Sequence, residues 1–187
     1  YFGVAMFDKS ILKCSLAVPF FFSMLSPGHA ESLVVDLAGT VPAVEQVKEG
    51  LFPEEACEEL RKNGFKCMGF KPAVRFSLPT ATFKLGSAEL PDLLRAQLDR
   101  FAEVLRGKRG TGRVVRIEGH ADATGSEDVN LPLSQKRAEA VKDYLVKNGA
   151  DPSMLQAVGM GSKALKVTKD PAAAENRRVE IGRQQAP

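Results

Sequence analysis

Ile117-Glu118-Gly119-His120-Ala121-Asp122-Ala123-Thr124-Gly125 is the stretch on which the fold of this chain turns. Val115 and Ile117 alternate with Arg116 and Glu118, the period of a strand with one buried face, and glycines then bound a turn that holds Asp122. Asn130-Leu131-Pro132-Leu133-Ser134-Gln135-Lys136-Arg137-Ala138 follows. Leu133, Ala138, Val141 and Leu145 fall on one side of a helix that Asn148 and Gly149 close. An acid thus sits in a turn after a strand, and a base sits on the next helix. So placed, Asp122 and Arg137 could hold a ligand that carries both an ammonium and a carboxylate, each charge meeting its opposite. That is binding chemistry rather than catalysis.

Upstream, Val74 to Phe83 is rich in β-branched and aromatic residues and is interrupted by Pro79, which suits a strand at an edge or bulge. Leu90, Leu94, Leu98, Phe101 and Leu105 recur at helical spacing and mark one apolar stripe, ended by Gly107. Downstream, Leu155 to Met160 reads as a third strand and Val167 to Asn176 as a polar loop or brief helix. Val179 and Ile181, alternating with Arg178 and Glu180, make a last strand. The order strand, helix, strand, helix, strand, strand predicts an α+β fold: a two-layer βαβαββ sandwich with helices on one face of a mixed four-stranded sheet.

Residues 31–71 read as a lead-in to a domain over 72–187. Pro53 to Gly64 has acids in its first turn, bases near its end and a terminal glycine, as a short helix would. Phe65 to Phe70 would return as a strand and bring Cys67 back towards Cys57. Residues 1–30 read as a secretory signal peptide: Lys9 and Lys13 precede the apolar run Cys14 to Leu25, and small residues lead to a cut after Ala30. That run contains a proline and is too short for a spanning helix, so the mature form is expected to have no membrane span. In an oxidising compartment the use of Cys57 and Cys67 is a local disulfide, since a redox pair would favour Cys-x-x-Cys.

An apolar share of 44% and a charged share of 26% belong to an ordinary globular chain. A net charge of +3 with no dense Lys/Arg run gives no support to nucleic-acid binding. With His29 and Cys14 in the leader, the mature chain keeps a single histidine, His120, which excludes a multi-histidine metal site.

Five stretches in order resemble the OmpA-like peptidoglycan-binding domain family: Phe83 to Leu90, the Gly119 to Gly125 turn, Asn130-x-x-Leu133-Ser134-x-x-Arg137-Ala138, Val158-Gly159-Met160-Gly161, and Asn176-Arg177-Arg178-Val179-Glu180-Ile181. Together they span about residues 72 to 183. The resemblance implies non-covalent binding of peptidoglycan, without cleavage or cofactor, through the diaminopimelate of the peptide stem. Asp122 would take the ammonium and Arg137 the carboxylate. Thr124 and Asn130 would orient the turn or donate hydrogen bonds, and Arg177 would supply a further positive contact. It also implies a Gram-negative periplasmic location, associated with the cell wall and at or near the outer membrane. The alternative is an adaptor whose envelope protein partner binds residues 31–71. Lys84 departs from the family, standing where many members carry an acid.

On the residues alone, the plainer reading of Asp122 and Arg137 is a surface ion pair of little energetic value. His120 at a strand end is better read as a structural residue than as a catalyst. No Gly-x-Ser-x-Gly elbow accompanies it, and Gly159-Met160-Gly161-Ser162-Lys163 lacks the full phosphate-loop pattern.

Overall fold

The structure is a computed structural model. It describes residues 33–184 apart from 68, 70, 80–82 and 85, so the leader read over residues 1–30 lies outside the described residues. The strands are β1 (Val34–Asp36), β2 (Arg75–Pro79), β3 (Val115–His120), β4 (Leu155–Gly159) and β5 (Arg178–Arg183), and the helices are α1 (Val44–Leu51), α2 (Glu54–Lys62), α3 (Asp92–Arg106) and α4 (Glu127–Lys147). They form one mixed sheet in the order β1-β2-β5-β3-β4. β1 runs parallel to β2 and β3 parallel to β4, while β5 lies antiparallel to both β2 and β3. The last strand therefore closes the sheet through its middle. Everything between β4 and β5 must return across the sheet end that carries Asp122.

The expected α+β sandwich is present with one strand more than anticipated. β1 comes from the segment read as a lead-in, and Val34, Val35 and Asp36 pair with Arg75, Phe76 and Ser77. The same segment shares the main core, since Val47, Leu51 and Phe52 are at most 1% exposed and α1 packs on α3. At the start of α2, Glu54 pairs with Arg113 (3.2 Å) and Arg183, and Glu55 pairs with Arg113 (2.5 Å) and Lys108. Residues 31–187 accordingly form one compact unit.

The core lies between the sheet and the helices. Phe76 and Leu78, Val179 and Ile181, and Val115 and Ile117 face Leu94, Leu98, Phe101 and Leu105 of α3 and Ala138, Val141 and Leu145 of α4. Each large side chain so buried stabilises the fold by roughly 1.5–3 kcal/mol, and the Phe76 and Phe101 rings meet edge to face at 5.3 Å. α4 approaches β3 and β4 so closely that only glycine fits beneath it. A methyl group on Gly119 would run into the backbone of Ser134, and one on Gly159 would lie 2.6 Å from the Gln135 nitrogen. This contact fixes α4, and with it Arg137, against the end of β3.

Two local expectations need correction. The strand expected over Phe65 to Phe70 is absent from Phe65 to Cys67. Gly64, at φ +82°, reverses the chain after α2, the Phe65 N–H bonds back to Leu60, and its ring is left 63% exposed with no face to bury. Cys67 nevertheless reaches Cys57, with Cα atoms 5.3 Å apart in a disulfide. β3 is also not one-sided: Glu118 is 5% and His120 2% exposed, because the segment between β4 and β5 folds over the sheet's polar face. There Arg178 Nη2 donates to the Ala164 carbonyl at 3.2 Å, and Lys166 pairs with Asp36. Among the described residues, no helix is long and apolar enough to cross a membrane.

Candidate functional site

β3 ends at His120 and delivers Asp122 into the turn before α4. That turn is held from both sides: Ala121 N donates to Gly161 O at 2.8 Å and Ala123 N to Pro171 O at 2.9 Å. Asn130, one turn into α4, donates its amide to the carbonyls of Asp122 (3.0 Å) and Gly125 (3.3 Å), so it shapes the backbone of the turn. The Asp122 carboxylate bends back on itself. Its Oδ1 accepts from Thr124 N at 3.0 Å and from the Thr124 hydroxyl, as an Asx turn requires. Its Oδ2 accepts from Arg177 Nη1 at 2.6 Å. Burial acts to raise the Asp122 pKa, but the bonds from Thr124 and Arg177 outweigh it and hold the carboxyl below its ordinary value. Asp122 is therefore a carboxylate at neutral pH.

Arg137 reaches this place from α4. It is 3% exposed; its Nε donates to Ser87 O at 3.1 Å, and its guanidinium stacks on Phe83 at 4.8 Å. The loop before α3 thus acts as a bracket for Arg137. Burial first, and the Arg177 charge second, hold the Arg137 pKa below its ordinary value, with Asp122 working the other way. The three charges lie within reach of one another's fields. Among the described residues no carboxylate comes within 4.0 Å of Arg137, so a buried guanidinium stands without an acid of its own. Such a group is costly unless something else supplies the anion.

All five residues singled out from the sequence meet here. Asp122, Thr124, Asn130 and Arg177 are joined by hydrogen bonds, and Arg137 stands beside them. Arg177, expected to supply a further positive contact, donates to Asp122. Lys84 lies outside the site, 82% exposed and 3.6 Å from Glu89. The first residue of the Asn176 to Ile181 stretch also organises the site. Asn176, fully buried, accepts from Val167 N and donates to the carbonyls of Val167, Asp170 and Pro171, which sets Pro171 against the Asp122 turn. Its signal was an amide side chain fixed immediately before a strand, the usual place of a loop clamp.

A second polar cluster lies on the sheet next to the site. Glu118, His120 and Glu180 have the spacing of metal ligands, and all are buried. Guanidinium nitrogens already occupy their carboxylate oxygens: Arg116 and Arg75 on Glu118, Arg178 (2.6 Å) and Arg75 (3.2 Å) on Glu180. A cation would have to displace charges that are fixed in place. The cluster is a lattice of paired charges around His120, whose Nε2 lies 3.8 Å from Glu118 Oε2 and 4.0 Å from Glu180 Oε1.

Residues 82–179 match the model of the OmpA family. The chain belongs to the OmpA family. It is 37% identical over 108 residues to a peptidoglycan-associated lipoprotein of Pseudomonas aeruginosa, a match covering 56% of this chain and 62% of that protein. It is 47% identical over 70 residues to the peptidoglycan-binding protein ArfA of Mycobacterium tuberculosis, covering 36% of this chain and 21% of that one. The chain therefore spans less than two thirds of the length of these relatives. The crystal structure of the peptidoglycan-associated lipoprotein from Burkholderia pseudomallei superposes with a TM-score of 0.50 at 30% identity, over 58% of this chain and 89% of that one. The five-stranded sheet of this OmpA family member carries its family turn at the end of β3, where the charges converge.

Proposed function

We propose that this chain binds peptidoglycan without cleaving it, and that the Asp122 and Arg137 site takes the free end of the diaminopimelate residue of the stem peptide. The observation that carries the reading is the buried Arg137 guanidinium, without a described acid partner, beside a carboxylate held ionised. The ligand's carboxylate meets Arg137 and its ammonium meets Asp122. Thr124 and Asn130 hold the turn, and Arg177 flanks it. Charge-assisted bonds of this type give about 1.5–3 kcal/mol each at best, so one domain binds modestly and the density of stems on the wall holds it there. The names of its relatives, a peptidoglycan-associated lipoprotein and a peptidoglycan-binding protein, support a role at the cell wall. Co-sedimentation with diaminopimelate-containing sacculi tests it: the parent should pellet, and Asp122→Ala and Arg137→Ala, each with native circular dichroism, should stay in solution. Equal pelleting of all three would refute the clamp.

A second reading rests on the edge of the sheet. Leu33 and Val34, at the start of β1, are 60% and 50% exposed, and elsewhere in the same segment Phe65 is 63% exposed; these apolar side chains of the 31–71 segment would meet an envelope protein partner while the wall serves as anchor. Loss of a co-purifying envelope protein in Val34→Lys, with sacculus binding intact, is the result this reading requires.

A further inference from the structure

We propose that the free edge of β1, with the groove between it and α1, docks an extended segment of a partner polypeptide as a sixth strand, its apolar side chains turned into the groove and a basic residue at the acidic lip. This deepens the second reading given above, which sets a protein partner on residues 31–71. Among the described residues β1 is the end of the sheet. Arg75 N donates to Leu33 O at 2.8 Å and Leu37 N to Ser77 O at 3.0 Å, so residues 33 and 37 turn their backbone groups towards β2. By the alternation of a strand, Val34 and Asp36 turn theirs outward, away from every described strand. Such an edge is a template for another strand, and it is commonly guarded by outward charge or proline. Here Val34 is 50% exposed, and the one charge of β1, on Asp36, is held by Lys166.

The helix side of the same edge is shaped to receive side chains. Leu33, Val35, Val74 and Phe76 line a groove of about 600 Å³ together with Gly50 of α1. A methyl group on Gly50 would lie 2.4 Å from the Phe76 ring, so the glycine lets α1 rest directly on the floor of the groove, where its carbonyl accepts from Val74 N at 2.8 Å. Glu45 and Glu49, one turn apart on α1, line the groove with Lys71, two carboxylates against one ammonium. That excess selects the occupant. A second copy would pair with β1 about a two-fold axis and bring its own Glu45 and Glu49 against these, like charge against like. An acyl chain would use the groove and not the edge. An extended peptide with a lysine or arginine uses both, its main chain bonding to the edge and its alternate side chains filling the groove. Every residue of the groove and of β1 lies outside residues 82–179, so this surface belongs to the part of the chain that the family match does not cover.

The experiment is an NMR titration of the purified protein with three short peptides blocked at both ends. One alternates valine with threonine between terminal lysines, the second has glutamates in place of the lysines, and the third scrambles the first. The lysine peptide should bind tightest and move the amide signals of β1 and α1 while those of the Asp122 turn stay still; the glutamate peptide should bind several-fold more weakly and the scrambled one least. Val34→Pro removes an outward N–H and leaves the bonds between β1 and β2 in place, so it should weaken the lysine peptide by about tenfold, the size of one lost hydrogen bond, with native circular dichroism. Glu45→Lys combined with Glu49→Lys should invert the order of the first two peptides, a result that lost packing does not produce. A lysine peptide that fails to bind, that binds no better than its scrambled form, or that binds a folded Val34→Pro as well as the parent overturns the inference. A dimer of the parent that Val34→Pro dissociates gives the edge to a second copy and overturns it equally. The co-purification test with Val34→Lys stands apart: a partner lost there, with no peptide bound here, keeps the second reading and removes only the added strand.

Discussion

The two charged clusters at the end of β3 differ in one respect that separates scaffolding from binding. On the sheet, Glu118 and Glu180 face each other across β3 and β5, and arginines from three strands fill their oxygens. In the turn beyond, Arg177 neutralises Asp122 and Arg137 is left over. Both clusters are largely buried, so burial alone does not distinguish them. A completed set of partners stabilises a fold and offers nothing to a ligand, whereas an uncompensated charge costs stability and leaves an interaction to be made.

The comparison breaks most sharply if the closed cluster is opened. Glu180→Ala would strand Arg178, 5% exposed, and release one end of Arg75. Removing one partner of a buried pair costs about 3–5 kcal/mol. Denaturant unfolding should show a loss of that size, with sacculus binding falling only in proportion to the unfolded fraction. A loss below about 1 kcal/mol would mean that these charges are solvated and that the contrast is false.

His120 gives the next effect, through pH. Burial first and the Arg178 charge second push its pKa down to about 4, against the opposing pull of Glu180 and with a further push from Arg75. The unfolded chain takes up a proton near pH 6.5 that the folded chain refuses. The contribution is therefore complete above pH 6.5 and declines as pH falls towards 4, by about 3 kcal/mol in all. His120 is the one histidine among the described residues. Unfolding free energies measured between pH 7 and 4.5 should fall steeply for the parent and much less for His120→Gln. Parallel profiles would show that the imidazole is not held neutral by its surroundings.

What the sequence disclosed follows the range of the forces involved. The stripe Leu94, Leu98, Phe101, Leu105 is local and periodic, and it lies buried in α3 as read. The glycine-bounded turn and α4 are also local, so Asp122 and Arg137 could be paired on the page. β1 could not be foreseen, because three residues without alternation become a strand only when β2 lies beside them. Phe65 misled for the converse reason: its neighbours look like a strand, but a reversal at Gly64 takes it away from any face. The polar residues Glu118, His120, Arg178 and Glu180 alternate as though facing water, and the run between β4 and β5 covers them. The Arg177 bond to Asp122 joins residues 55 apart in sequence. It exists because β5 enters the middle of the sheet, which no local pattern reveals.

The smallest expected change in stability is also the sharpest test of the contrast. Arg137→Met keeps a long apolar stem above Phe83 and removes the charge. The variant loses the bond to Ser87 and the stacking on the ring, which at such sites are worth about 1.5–3 and 0.5–2 kcal/mol. It also escapes the cost of an unpaired buried guanidinium, which is several kcal/mol. These terms oppose each other, so its unfolding free energy should lie within about 1 kcal/mol of the parent, while retention on sacculi disappears. Glu180→Ala should show the reverse pattern, with a large loss of stability and binding kept by the molecules that remain folded. If Arg137→Met instead unfolds as readily as Glu180→Ala, then Arg137 has a structural partner after all, and the positive charge at the end of β3 belongs to the scaffold.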